Sequence, residues 1–312
     1  MGITRRRCAS DWSVTERLVG IDVGGSKMLA VALDPSQPHH VVEQLVVSTP
    51  ATADGVLAGI VELATQLDVN DRLGVGLAGL VEDGAVLRAA PNLACMIDVP
   101  ARAELAASLG VEVVIDNDAT CALAAEMEVG VARGASDVVL VTLGTGIGGS
   151  VAVDGRLLRG RHGFAGEPGH MCVDPNGPRC VCGRRGCWER YASGSGVVWL
   201  AQQRGIVSER GSTEVTSEEL VRRGRDGDRV VGAVWEEFAE WLALGLANLA
   251  DVLDPDLLVL GGGMIDVADL YLERARERFL DEVLGGHARR HTQLVLAESG
   301  PAAGAIGAAL LH

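Results

Sequence analysis

"LVGIDVGGSKMLAVALD", residues 18–34, reads as a buried strand, a Gly-rich turn and a second strand returning beside the first. Moved forward by 120 positions it lies without a gap on "VVLVTLGTGIGGSVAVD", residues 138–154. Gly24 meets Gly144, and "VALD" at 31–34 meets "VAVD" at 151–154. One device used twice predicts a duplicated domain, two similar halves facing a cleft.

The segments around each hairpin alternate in type. In "DGVLAGIVELATQL", 54–67, Val56, Leu57, Ile60, Val61, Ala64 and Leu67 share one helical face. "RLGVGLAGLV" and "VEVVIDNDA" read as strands; "VPARAELAASLG" reads as a helix closed by Gly110, and "TCALAAEMEVG" as another. Further on, 230–253 is a long apolar-faced helix stopped at Asp254 and Pro255. "LLVLGGGM" and "QLVLAE" are strands, and "GPAAGAIGAALL" is a small-residue helix able to pack closely. Residues 205–228, rich in Ser, Arg, Gly and acids, read as a mobile loop. The pattern is α/β.

The length of 312 residues predicts two domains, and 48% apolar residues suffice for two cores. No run of eighteen apolar residues predicts a membrane span. The N-terminus is basic but has no apolar block after it, so no secretory signal is expected and the cytoplasm is the expected location. A net charge of −15 argues against nucleic acid as a bulk partner, and the first 17 residues are too short for a helix-turn-helix.

Three glycine turns follow strands. "GVGLAG" at 74–79 and "GTGIGG" at 144–149 have dinucleotide spacing, but each leads into strand-like sequence instead of a helix, so that reading fails. A Gly-rich hairpin turn can instead offer backbone N–H groups to phosphate oxygens. Gly24 and Gly25 in one turn, and Gly144, Thr145 and Gly146 in the other, are the expected nucleotide grip. Asp22 could hold Mg²⁺ through water and Ser26 could donate to a phosphate. Lys27 is the only lysine in the chain, a compact ammonium beside the turn. Gly262 and Gly263, in the third turn, would let something flat lie on the backbone.

"RCVCGRRGCWER", 179–190, carries Cys180, Cys182 and Cys187. Three thiolates need a fourth ligand for tetrahedral zinc. His170 of "GEPGH" is preferred and Cys172 is its rival; a Cys₃His set is closed, hence structural. Glu167 and Glu189 flank this knot and could grip sugar hydroxyls. Asp116, Asn117 and Asp118 end a strand where α/β domains hold ligands; one Asp could be a base, and Asn117 or Asp118 could simply cap the next helix.

With these motifs in place the chain resembles the ROK family of sugar kinases and sugar-responsive repressors from Leu18 onward. "DVGGSK" resembles its phosphate turn with Ser26 for Thr, "APNL" at 90–93 its substrate loop, and "DNDA" the loop of its catalytic aspartate. "LGTGIGG", "GEPGH" and "CVCGRRGCWE" resemble its second phosphate turn and its zinc signatures. Met96, Thr120 and Trp188 stand where the family commonly has an aromatic residue, Asn and Leu.

The resemblance implies a duplicated actin-like, ribonuclease-H-type fold with two domains around a cleft. The expected boundaries are 18–118 and 119–300, with a zinc loop at 170–187 and a final helix, 301–312, returning to the first domain. It implies ATP-dependent phosphorylation of a hexose, glucose to glucose 6-phosphate first, with Asp118 as general base. Asn92, Asn117, Asp118, Glu167, His170 and Glu189, with backbone near Gly79, would hold the sugar. His170, Cys180, Cys182 and Cys187 would hold structural Zn²⁺. Alternatives are another acceptor (N-acetylmannosamine, N-acetylglucosamine, fructose or allose), polyphosphate as donor, or a sugar-sensing regulator without catalysis. A homodimer or homotetramer is implied, with Trp199, Trp235 and Trp241 candidates for interface or core.

Overall fold

A computed structural model describes residues 4–7, 17–90, 92–209, 214–288 and 292–311. Pro91 of "APNL", residues 210–213 of the expected loop and His312 of the final helix lie outside the described residues. The chain divides into two units. One comprises 1–135, 150–166 and 297–312; the other comprises 136–149 and 167–296.

The first unit is built on a six-stranded sheet. Strands β1 (Thr4–Arg7), β2 (Leu18–Val23), β3 (Lys27–Asp34) and β4 (Gln37–Ser48) come first, then helix α1 (Ala53–Gln66) and β5 (Arg72–Leu77). A small ribbon follows, β6 (Leu80–Glu82) with β7 (Val86–Ala89); then come α2 (Ala101–Leu109), β8 (Glu112–Asn117) and α3 (Asp118–Glu128). The sheet order is β1-β4-β3-β2-β5-β8, with β2 antiparallel to β3 and parallel to β5, and β5 parallel to β8.

The later sheet repeats this plan. Its strands are β9 (Val138–Leu143), β10 (Ile147–Val153) and β11 (Arg156–Leu157), then β12 (Leu257–Gly261) and β13 (Gln293–Leu296). Their order, β11-β10-β9-β12-β13, matches β4-β3-β2-β5-β8 strand for strand. β12 runs parallel to both β9 and β13, as β5 does to β2 and β8. β2 and β9 start and end 120 residues apart, so the repeat seen in the sequence is a repeat of structure. Helices α4 (Gly194–Gln203), α5 (Ser217–Arg225), α6 (Arg229–Leu253) and α7 (Leu272–Glu282) belong to the second unit. The stretch 205–228 is therefore partly helical: Thr216 caps α5, Glu218 and Glu219 stand in its first turn, and three arginines stand in its last. Leu220 is its buried anchor, and one apolar residue leaves little periodicity to detect.

β3 shows why the first sheet is covered on both faces. Met28, Ala30 and Ala32 point into one core with Val56, Leu57, Ile60 and Leu63 of α1. Leu29, Val31 and Leu33 point into another with α8 (Ala303–Leu310), through Ala305, Ile306 and Ala309. Period-two alternation sends successive side chains to opposite faces.

Helix α8 lies almost backbone to backbone on its neighbours. A Cβ at Gly74 of β5 would lie 1.7 Å from the Ala308 carbonyl oxygen, and one at Gly307 would lie 1.6 Å from that of Cys121 in α3. Just before α8, the fully buried carboxylate of Glu126 accepts the amide N–H groups of Val131, Glu298 and Ser299. No described helix is long and apolar enough to cross a membrane.

Gly74→Ala is expected to destabilise the protein by about 3 kcal/mol, because backbone cannot yield to the added methyl. Gly232→Ala in α6, where a Cβ meets nothing within 4 Å, should be neutral or stabilising by up to ~1 kcal/mol. Urea unfolding of the two variants measures both.

Candidate functional site

Parallel register brings distant segments of the first unit to one edge. Val23, Leu77 and Asn117, the last residues of β2, β5 and β8, are partners in one row; Asp22, Gly76 and Asp116 form the row before it. Carboxyl ends of parallel strands are where α/β sheets expose loops to ligands. Here they carry the turn 24–27, Gly79 and the start of α3.

The turn is tied from below. The Gly24 N–H donates to the Lys27 carbonyl at 3.0 Å, and Thr49 donates its hydroxyl to the Gly24 carbonyl at 2.7 Å and its N–H to the Ser26 carbonyl at 3.1 Å. Gly25, Ser26 and Lys27 remain exposed. A Cβ on Gly25 would lie 2.6 Å from the Asn92 carbonyl oxygen, so the substrate-loop candidate rests against this turn. Thr49 has no motif of its own and was invisible to sequence reading.

The three polar residues after β8 have separate tasks. Asp116 is buried and accepts from Arg159 Nε at 2.7 Å and from the Asn117 N–H at 2.9 Å. Asn117 caps α3, its Oδ1 accepting from the N–H groups of Ala119 and Thr120, while its Nδ2 donates to the Gly79 carbonyl at 2.9 Å. Asp118 opens α3, its Oδ1 accepting the Ala119 N–H at 2.9 Å. Among the described residues no cation forms an ion pair with it. Burial pushes the Asp118 carboxyl above the usual carboxylate range. Asp22 is pushed up to about 7, first by burial and then by the nearby Asp118 charge, with Lys27 opposing. Arg159, which holds Asp116, left no signal in the sequence.

In the second unit the turn Gly144–Thr145–Gly146 leaves β9, and Gly262 and Gly263 follow β12. A Cβ on Gly262 would lie 2.4 Å from the Leu143 carbonyl, so the two turns adjoin. The first turn of α4 donates to this hairpin, Gly194 N–H to the Gly144 carbonyl at 2.8 Å and Ser195 N–H to that of Thr145 at 3.2 Å. Ser193 caps α4 through the Gly196 N–H and donates its hydroxyl to the Glu189 carbonyl.

Glu189 stands between the turn and the thiols. A Cβ on Gly146 would lie 2.6 Å from its Oε2, and its Oε1 accepts the Cys180 thiol at 3.0 Å. One ligand atom from each of His170, Cys180, Cys182 and Cys187 lies within 4.8 Å of every other. Nδ1 is the nitrogen of His170 facing Cys180, at 3.7 Å, and the Cys182 and Cys187 sulfurs are 3.5 Å apart. The Cys182 N–H points at the Cys180 sulfur. Cys172 is outside this set. Burial raises the Cys180 and Cys187 thiols; at Cys182 desolvation also pushes upward, but hydrogen bonds from Arg184 and the neighbouring thiols bring it down to about 7. Three sulfurs and an imidazole this close fit a tetrahedral metal, since thiolates packed together need a cation.

Trp188 seats the end of this loop. It is fully buried, donates its indole N–H to the Trp241 carbonyl at 2.7 Å, and lies where Gly245 of α6 has no side chain. Glu167 precedes the short turn 168–170, and Gly149 and Gly169 let that turn press against β10. The sequence-predicted residues thus form two sets: Asp22 to Lys27, Gly79, Asn92, Asp116, Asn117 and Asp118 in the first unit, and the rest in the second.

Repeated sheets of this order define a duplicated actin-like α/β fold, here with a Cys₃His cluster that could bind zinc. The ROK family model matches residues 18–312, and the chain belongs to that family. Glucokinase of Streptomyces coelicolor is 32% identical over 306 residues, covering 93% of this chain and 96% of its own. N-acetyl-D-glucosamine kinase of Erwinia tasmaniensis is 35% identical over 311 residues, covering 94% and 98%. The crystal structure of a ROK family glucokinase from Streptomyces griseus, in complex with glucose and AMPPNP, is 35% identical with a TM-score of 0.81, covering 94% of this chain and 98% of that one.

Asp22 makes stability depend on pH. Its folded value of about 7 lies above the unfolded 3.8. Within that window the folded state keeps a proton that the unfolded state has lost, so stability falls as pH rises. In metal-free buffer Asp22→Asn is expected to stabilise the protein at pH 8 by on the order of 2–4 kcal/mol and to change little at pH 4. Denaturation at the two pH values gives the answer.

Proposed function

We propose that this sugar kinase transfers the γ-phosphoryl group of ATP to a hexose hydroxyl, with glucose and its 6-hydroxyl the first acceptor. The observation that carries the reading is Asp118, a carboxyl raised by burial at the carboxyl end of a parallel sheet. Beside it Asp116 is ion-paired and Asn117 is spent largely on capping.

Asp118 takes the proton of the attacking hydroxyl as that oxygen bonds to phosphorus. Asn117 keeps one Nδ2–H beyond the one given to Gly79, enough to orient a sugar hydroxyl. Asn92, Glu167, His170 and Glu189 supply further hydroxyl partners. The exposed backbone of Gly25, the hydroxyl of Ser26 and the ammonium of Lys27 face phosphate, as do Gly144, Thr145 and Gly146, while Gly262 and Gly263 accept the flat face of the base. Mg²⁺, when bound, supplies positive charge to the phosphate oxygens, with Asp22 holding it through water. Zinc is our assignment for the cluster of His170, Cys180, Cys182 and Cys187: four protein ligands leave no open position, so its role is to hold the loop. With Nδ1 of His170 facing the sulfurs, Nε2 is left for a hydroxyl.

N-acetylglucosamine is the second acceptor reading, because a 35% identical relative is a kinase for that sugar. Coupled ADP release with glucose, fructose, allose, N-acetylglucosamine and N-acetylmannosamine separates them by kcat/KM. The largest value should be for glucose; a larger one for an amino sugar moves the assignment to that acceptor, and no ADP release with any sugar rejects kinase activity. Asp118→Asn should keep glucose binding by calorimetry and lose turnover by ~10²-fold or more. A base works deprotonated, so kcat of the unmutated enzyme should fall as pH drops through a value above the ordinary carboxylate range.

A further inference from the structure

The cluster leaves one nearby cysteine unused. Cys172 lies directly opposite the ligand-set member Cys187 in an isolated antiparallel bridge. Two hydrogen bonds bracket the pair: Trp188 N–H to the Met171 carbonyl and Val173 N–H to the Gly186 carbonyl, each 2.8 Å. Neither cysteine contributes to those bonds, so this is a non-hydrogen-bonded pair. Such pairs have the closer backbones of the two kinds, with Cα atoms about 4.5 Å apart and side chains on the same side of the ribbon. That separation falls inside the range disulfides span, roughly 4.4–6.8 Å between Cα atoms. Cys172 is exposed whereas Cys187 is fully buried. One thiol of the pair therefore meets solutes first, and the other stands behind it.

We propose that Cys172 is an oxidation site that takes hydrogen peroxide and passes the oxidation to Cys187, opening the metal cluster. In the first step a Cys172 sulfur lone pair attacks one peroxide oxygen. The O–O bond breaks, and Cys172 becomes a sulfenic acid as one water leaves. In the second step the Cys187 sulfur attacks the Cys172 sulfur. The S–O bond breaks, the oxygen leaves as water with a proton from solvent, and an S–S bond forms. Two electrons pass from the two sulfurs to peroxide. Cys187 then has no thiolate to offer, and His170, Cys180 and Cys182 alone do not close a tetrahedral site. The competing pair is Cys182 with Cys187, whose sulfurs are 3.5 Å apart, but both belong to the metal set. The switch rests on the zinc assignment made above and on the geometry of the loop, and not on which sugar is phosphorylated.

The test uses the whole, zinc-loaded chain. Hydrogen peroxide is added in the presence of a chromophoric zinc chelator, thiols are then blocked, and peptides are mapped by mass spectrometry. A Cys172–Cys187 disulfide and zinc release that dithiothreitol reverses are expected. Cys172→Ser leaves all four ligands in place, so its zinc content should equal that of the unmutated chain. Its release should be slower by on the order of tenfold, through loss of the exposed thiol. Release from Cys172→Ser at the unmutated rate would overturn the proposal. So would a map showing the Cys182–Cys187 disulfide in place of Cys172–Cys187. A chain that purifies without zinc also overturns the proposal, since there is then no metal cluster to open.

Discussion

The backbone contact of α8 with the first sheet is the constraint on which that unit depends. Side chains ordinarily hold packed layers about 10 Å apart, yet glycines at 20 and 74 of the sheet remove them where carbonyl oxygens of α8 pass, and Gly307 does the same where α8 meets the Cys121 carbonyl of α3. Gly304, in the first turn of α8, lies where a Cβ would come 2.9 Å from the Asp22 carboxyl carbon. The same close approach that excludes water from the core also desolvates Asp22 and contributes to its raised pKa. Packing and acid chemistry are two results of one contact.

In the second unit Glu189 has the corresponding position. One carboxylate oxygen faces the Gly146 turn and the other faces Cys180. Trp188 beside it is sunk in the core and hydrogen-bonded to α6, so Glu189 stands on a fixed base. α4 starts at the same place and ties the turn with two amide donors. The thiol loop, the long helix and the glycine turn are thereby joined through a few adjacent residues.

Much of this could be read from residue order. The doubled hairpin was legible because two strands and a tight turn leave both an apolar pattern and a glycine signature, and β2 and β9 fall 120 positions apart. The metal-type cluster was legible because thiol spacing is rare; the distances favour His170 over Cys172. What stayed hidden depends on long-range partners. Arg159 meets Asp116 across 43 residues, and Glu126 meets Glu298 across 172. Neither arginine nor glutamate at those positions differs from a solvated surface charge until the chain is folded. α5 was missed for a different reason: charge and capping define it, with a single buried leucine.

The clamp at Glu126 bears on how the chain is made. Its carboxylate is satisfied in part by amides at 298 and 299, which follow the whole second unit in sequence. Until 297–312 are made, residues 17–135 lack the helix that covers β2 and β5 and the amides that Glu126 accepts from 298 and 299. Translation order and folding order therefore part company, since domains usually mature from the N-terminus onward. The first unit is therefore completed only when the small apolar helix at the far end of the chain has been made.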